Sequence, residues 1–238
     1  MINILDIVIA VILFLAFIIG ISRGTFKSML KLFSMALALG LTLLMADTVA
    51  KFILNNPVMS EMVFGNTVSL KALYGQIPDG WQDSTLLNAL YAPMIEKLTA
   101  LGFTGVTAQQ MLPSAMAFQS GIVIGCFMLY LVFRIVIMII AFIIKKLVRK
   151  SRKSGLSRLF GGLLGIVNGA IIVSILLSVV MAFVPAQSLS STVSNFAQDS
   201  FAVKHSTTLT QQIATKTMVS DENLKSALTL AGFTLNQE

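Results

Sequence analysis

Two ionisable side chains fall inside long apolar runs of this chain, and their position gives them the most scope for chemistry. Arg134 stands near the middle of the run 121–144, and Asp6 near the start of the run 1–21. A charge at the centre of a bilayer costs about 2.5–3.5 kcal/mol on insertion scales, so it marks an ion path, a relay or a buried pair. Helical rise places the two about 9 Å apart in depth, a gap that long side chains can bridge. An Arg134–Asp6 pair would staple two spans. Alternatively, Arg134 would line a polar cavity with Asn168, Ser174 and Ser178. A buried pair or a snorkelling arginine without any transport role is the plainer outcome.

Enzymatic chemistry has little to work with. The chain carries no H-E-x-x-H, no G-x-S-x-G and no phosphate-binding loop. Its one cysteine, Cys126, lies in an apolar run and its one histidine, His205, in a polar tail. They make neither a nucleophile–base pair nor a disulfide or metal framework. The expectation is a protein that is not an enzyme, with no cofactor and no metal.

The elements that must position Arg134 and Asp6 are membrane spans. The chain is 56% hydrophobic and only 11% charged, where a soluble domain has about 25% charged residues. Four apolar runs (1–21, 26–46, 121–144 and 159–184) are each long enough as helices to cross about 30 Å of hydrocarbon. The first lacks the basic start and small-residue cleavage site of a signal peptide, so it reads as a retained helix. The expected fold is an all-α membrane protein, a bundle of four transmembrane helices with short amphipathic helices outside the cytoplasm. Membrane lipid is its first partner.

Charge sets the orientation. The loop 145–158 carries Lys145, Lys146, Arg149, Lys150, Arg152, Lys153 and Arg158 with no acid, and the first hairpin adds Arg23, Lys27 and Lys31. Lys27 and Lys31 can snorkel to headgroups. By the positive-inside rule both hairpin loops are cytoplasmic and both termini extracytoplasmic. The net charge of +7 is therefore topological. No aromatic platform accompanies it, and nucleic acid is not an expected partner.

The chain divides into a first hairpin (1–46), an outer segment (47–113), a second hairpin with the basic loop (114–184) and a Ser/Thr-rich tail (185–238). In the outer segment Pro57, Pro78 and Pro93 act as punctuation, and Pro78-Asp79-Gly80 signals a turn. Tyr91, Met94, Ile95 and Leu98 recur at helical spacing, and Thr107 can cap a helix leading to the third span. These helices are expected to rest on the outer membrane surface, with a small independent domain as the alternative. The tail reads as weakly helical and partly disordered. Ser220 to Ala231 is its clearest helix, with Leu224 and Leu228 on one face and Gly232 beyond its end.

The fourth span opens on glycines 161, 165 and 169, four apart on one face. Such a ladder lets another helix backbone approach closely. Packing inside a four-helix bundle is the plainer use, and a self-association seam the alternative. A second small-residue ladder, Ala170, Ser174, Ser178 and Ala182, lies on a roughly opposite face, which suggests a helix held between partners.

The arrangement resembles the colicin V production protein (CvpA) family of bacterial inner-membrane proteins. One block of resemblance is Asp6, Gly20 and Arg23-Gly24. The other is Gly155 and Arg158 followed by Gly161, Gly165 and Gly169. Asn168 stands where a basic residue is often found before the last glycine, and Ser157 where an aspartate can precede the arginine. The segment 47–113 and the tail look like additions to the compact family core. The resemblance implies a four-helix inner-membrane protein linked to colicin V production or export.

The leading expectation is accordingly a non-enzymatic scaffold or accessory for toxin production, export or another envelope process. Its partners would be envelope proteins or a second copy. A small transporter or channel using Arg134 and Asp6 is the alternative. An anchor that recruits anionic partners through the basic loop ranks third.

Overall fold

The computed structural model describes residues 4–65, 69–74, 82, 85–101, 103, 106–147, 155–183, 200, 208, 211–212 and 214–234. Every element among them is a helix. In chain order they are α1 (Ile4–Arg23), α2 (Thr25–Leu44), α3 (Ala46–Asn55), α4 (Pro57–Phe64), α5 (Leu70–Tyr74), α6 (Thr85–Ala100), α7 (Ala108–Leu147) and α8 (Gly155–Phe183). A π-helical turn (Ala214–Met218) and α9 (Asp221–Leu230) follow. Among the described residues four helices, α1, α2, α7 and α8, are long and apolar enough to cross a membrane. The protein is an all-α membrane protein.

The helices fall into two compact units, one formed by 2–44 with 127–176, the other by 45–126 with 177–238. The first of these is built for lipid. On α2 the large side chains Phe26, Met29, Phe33, Leu37 and Leu41 are exposed, while Ser28, Ser34 and Thr42 are buried. In water that pattern would be inverted. In hydrocarbon it is the stable one, because the apolar groups have lipid for solvent and the hydroxyls find protein partners. Thr42 spends its hydroxyl on the Ala38 carbonyl, 2.8 Å away. The core of this unit joins Met35 and Ala38 of α2 to Tyr130 of α7, with Phe133, Ile137, Ile171 and Ile175 packed around them.

A single residue, Gly24, links α1 to α2, with φ +76. The left-handed turn strains any side chain, so the hairpin needs glycine there. Its N–H donates to the Gly20 carbonyl at 3.0 Å and closes α1.

The second unit has an ordinary apolar interior. Tyr91, Met94 and Leu98 of α6, Leu112, Phe118 and Ile122 of α7, and Leu224 and Leu228 of α9 are fully enclosed. The rings of Phe64 and Phe118 stack at 6.1 Å. Pro57 sits in the first turn of α4, where its missing N–H costs nothing, and the Asn56 side chain accepts from Val58 N–H (3.0 Å) and Met59 N–H.

Several expectations need correcting. Pro93 does not punctuate; it lies inside α6, as Pro113 lies inside α7. Buried packing on both sides of each proline offsets a penalty of about 3 kcal/mol. The third span is part of a longer helix, which starts at Ala108 and runs 40 residues, about 60 Å at helical rise, twice what a bilayer core needs. Residues from Ser114 to Ser120 are buried in protein, whereas from Met128 onward large apolar side chains face outward. One helix therefore changes solvent midway along its length. Thr107 does start it, with the Gln110 side chain accepting from Thr107 N–H at 3.0 Å, one half of a capping box.

The end of the tail is not a weak helix. α9 carries Ser220 as N-cap and Gly232 (φ +95) beyond its last turn, as expected, and it packs on α3 with Leu224 and Leu228 buried. Pro78-Asp79-Gly80, the bases from Arg149 to Lys153, Pro185 and His205 lie outside the described residues.

Candidate intramembrane polar site

The polar groups of the membrane unit converge where the first hairpin meets the start of α8. The glycine ladder closes that contact. A Cβ on Gly161 would come 2.7 Å from the Gly20 carbonyl oxygen and 2.8 Å from the Gly24 carbonyl carbon. One on Gly165 would strike the Ala16 carbonyl oxygen, and one on Gly169 would come 2.8 Å from the Ala16 Cβ. The ladder is thus filled by α1 of the same chain. Backbone-to-backbone approach of this kind gains dispersion contacts that lipid cannot supply. The second small-residue face remains open at Ala170, and Ser174 donates to the Ala170 carbonyl at 3.0 Å.

Hydrogen bonds pin the same contact. Thr25 Oγ1 donates to the Ser157 carbonyl at 2.7 Å, and Thr25 N–H donates to Ser157 Oγ at 3.3 Å. Ser157 thereby caps the exposed N-terminus of α2 from outside, a role that an acidic side chain at this position could also fill. One turn further, Asn168 Nδ2 donates to the Leu164 carbonyl at 2.9 Å and to the Ser28 carbonyl at 3.4 Å. Arg158 is exposed in the first turn of α8.

Beside this pinned contact lies a cavity of about 230 Å³, with Arg23, Ser28, Lys31 and Asn168 as its polar lining. Ile12, Ile19 and Ile172 are among its apolar walls. Ser28 and Asn168 are 2% and 3% exposed, yet Ser28 Oγ and Asn168 Oδ1 have no hydrogen-bond partner. Lys31 is half-buried and lines the cavity, whereas Lys27 is exposed.

Arg134 is elsewhere in the unit. Its guanidinium donates to Ser34 Oγ, and Ser34 is also 3.3 Å from the Lys31 carbonyl. No ion pair joins Arg134 to Asp6 among the described residues, and Arg134 is not part of the cavity lining. The expected staple therefore runs between α7 and α2. Of the residues expected to share a cavity, Asn168 lines this one, Arg134 and Ser174 do not, and the Ser178 side chain lies outside the described residues. The sequence signal for the missed residues was a polar stripe on an apolar helix: Ser28, Lys31, Ser34 and Thr42 recur every three or four residues except for one double step.

The family described as colicin V production protein matches residues 84–211, more than half of the chain. The chain belongs to that family. No curated protein and no solved structure matches it. The match contains Gly155, Arg158 and the three ladder glycines. It also takes in 84–113 and 185–211, so the outer segment and tail are not wholly additions to the family core. The hairpin block (Asp6, Gly20, Arg23-Gly24) lies before the match in sequence but meets it in space. Gly20 and Gly24 pack on Gly161, and Thr25 bonds Ser157. In this colicin V production family member the two motif blocks form one contact.

Outside the membrane unit, a second polar cluster ties α9 down. Asn223 Nδ2 donates to Asp47 Oδ1 at 2.6 Å, and Lys51 Nζ pairs with Asp47 Oδ2 at 2.9 Å. The Lys51 ammonium, then the Asn223 amide, holds the Asp47 carboxyl below the usual carboxylate range. Lys97 donates to the Thr215 carbonyl at 3.1 Å and to the Val219 carbonyl, and pairs with Asp221 at 3.0 Å. Burial pushes the Tyr74 and Tyr91 hydroxyls up.

Proposed function

We propose that the protein is a non-enzymatic membrane scaffold of the colicin V production type, serving toxin production, export or a related envelope process. It sits in the bacterial inner membrane with both termini outside the cytoplasm, and it works through envelope proteins or a second copy. The observation that carries this reading is the use of Arg134. The intramembrane guanidinium is spent on Ser34, bracing α7 against α2, which is what a rigid platform needs. Family membership supports the same reading.

Crosslinking in intact cells, followed by purification in mild detergent and mass spectrometry, tests it. A scaffold yields specific envelope partners or a crosslinked second copy. A clean monomer with no partner contradicts it. Arg134→Leu separates the scaffold from a transporter that moves cargo past Arg134 and Asp6. For the scaffold the substitution removes the charged hydrogen bond that braces α7 on α2 and lowers thermal stability by about 1.5–3 kcal/mol. A transporter would keep its stability and lose flux. Gly165→Leu is unsuitable as an interface probe, because its face is already occupied by Ala16.

A further inference from the structure

The cavity beside the glycine contact has apolar walls and two bases at one end. Its α1 wall runs from Ile12 through Ala16 and Ile19 to Arg23, about 16 Å along the helix by rise. One end is apolar, where Ile12 lies at the far end of that wall. The other end carries Arg23 and Lys31, and among the described residues no acidic one lines it. Between them sit two oxygens that folding has buried without partners, Ser28 Oγ and Asn168 Oδ1. At about 230 Å³ the space exceeds the roughly 30 Å³ of a single bridging water several-fold.

We infer that this cavity is a binding site for one anionic glycerophospholipid. Arg23 and Lys31 hold the headgroup phosphodiester, and the Ser28 hydroxyl donates to one of its oxygens. Asn168 Oδ1 accepts from a hydroxyl of the headgroup. Its amide nitrogen is already committed to Leu164 and Ser28, so the carbonyl is held facing one way. An acyl chain lies along Ile12, Leu15 and Ile19 of α1 and against Ile172 of α8. The ligand must carry negative charge and a hydroxylated headgroup together, which phosphatidylglycerol does and phosphatidylcholine does not. Asn168 replaces the basic residue often found at this position. The positive charge of the site comes from the hairpin instead. The inference holds whether or not the protein is a scaffold.

The test uses the full chain in mild detergent, titrated with phosphatidylglycerol, phosphatidylcholine or soluble glycerol phosphate. Native mass spectrometry counts retained lipid, and thermal unfolding reports protection. Phosphatidylglycerol should be retained as a single molecule with about tenfold preference over phosphatidylcholine, whose phosphodiester charge is offset by its own choline. Arg23→Gln combined with Lys31→Met should remove that preference. If the double variant does not fold, Lys31→Met alone, which keeps the side chain's length and removes its charge, should weaken it several-fold. Lys27→Met, on the exposed face of the same turn, should leave it unchanged. Equal retention of the two lipids overturns the inference, as does an equal loss in Lys27→Met. Protection by glycerol phosphate equal to that by the lipid also overturns it, because the ligand would then be a soluble phosphate ester.

Discussion

Gly165 and Gly40 are both glycines inside membrane helices, yet they occupy opposite situations. A Cβ on Gly165 would strike the Ala16 carbonyl, whereas one on Gly40 would meet nothing within 4 Å. Gly165→Ala should therefore lower stability in detergent by about 1–3 kcal/mol through overpacking. Gly40→Ala should leave it unchanged or raise it by up to about 1 kcal/mol, because alanine is the better helix former. Thermal unfolding of the two variants side by side checks the difference. Ser157 offers a second comparison. Ser157→Ala removes the cap from Thr25 N–H and should cost about 1 kcal/mol, while Ser157→Asp should be tolerated, since an aspartate accepts from a helix N-terminus equally well.

At the scale of elements, the docking of α9 on α3 should depend on pH. Asp47 titrates below its ordinary 3.8 in the folded chain, so the unfolded chain binds its proton first as pH falls. The stabilisation it gives is complete above about 3.8 and is lost as pH drops through the lower folded value. Hydrogen exchange along α9 should accelerate in that window, and Asp47→Asn should bring much of the same acceleration at neutral pH. Exchange that is indifferent to both would remove Asp47 from the docking.

Much of this level was legible in the residues. The four apolar runs, the caps at Thr107 and Ser220, and the buried stripe Tyr91–Met94–Leu98 all appear where their spacing places them. What could not be read was that one unbroken helix would carry both the more polar stretch from Ala108 and the span that follows it, because Pro113 argues for a break between them. The Arg134–Asp6 pairing failed for another reason. Depth follows from helical rise, but which helix face meets which does not, and Ser34 of α2 took the guanidinium.

For the whole molecule, one chain is adapted to two solvents, with hydroxyls inside and large aliphatics outside in one unit and an ordinary apolar core in the other. Its orientation across the membrane is expected to rest on the loop 145–158. Replacing all seven bases there with glutamine should weaken the orienting signal and mix the topology, as read by a reporter enzyme fused after residue 238. A fixed reporter location would show that other charges set the orientation.

The central claim is that two motif blocks far apart in sequence form one internal helix contact. Thr25→Cys paired with Ser157→Cys, in a Cys126→Ala background, tests it directly through mild oxidation in native membranes. The account predicts an intramolecular disulfide, seen as a monomer whose mobility shifts on reduction. A covalent dimer would assign the contact to two copies. No crosslink under conditions that oxidise an exposed cysteine pair would contradict the contact itself.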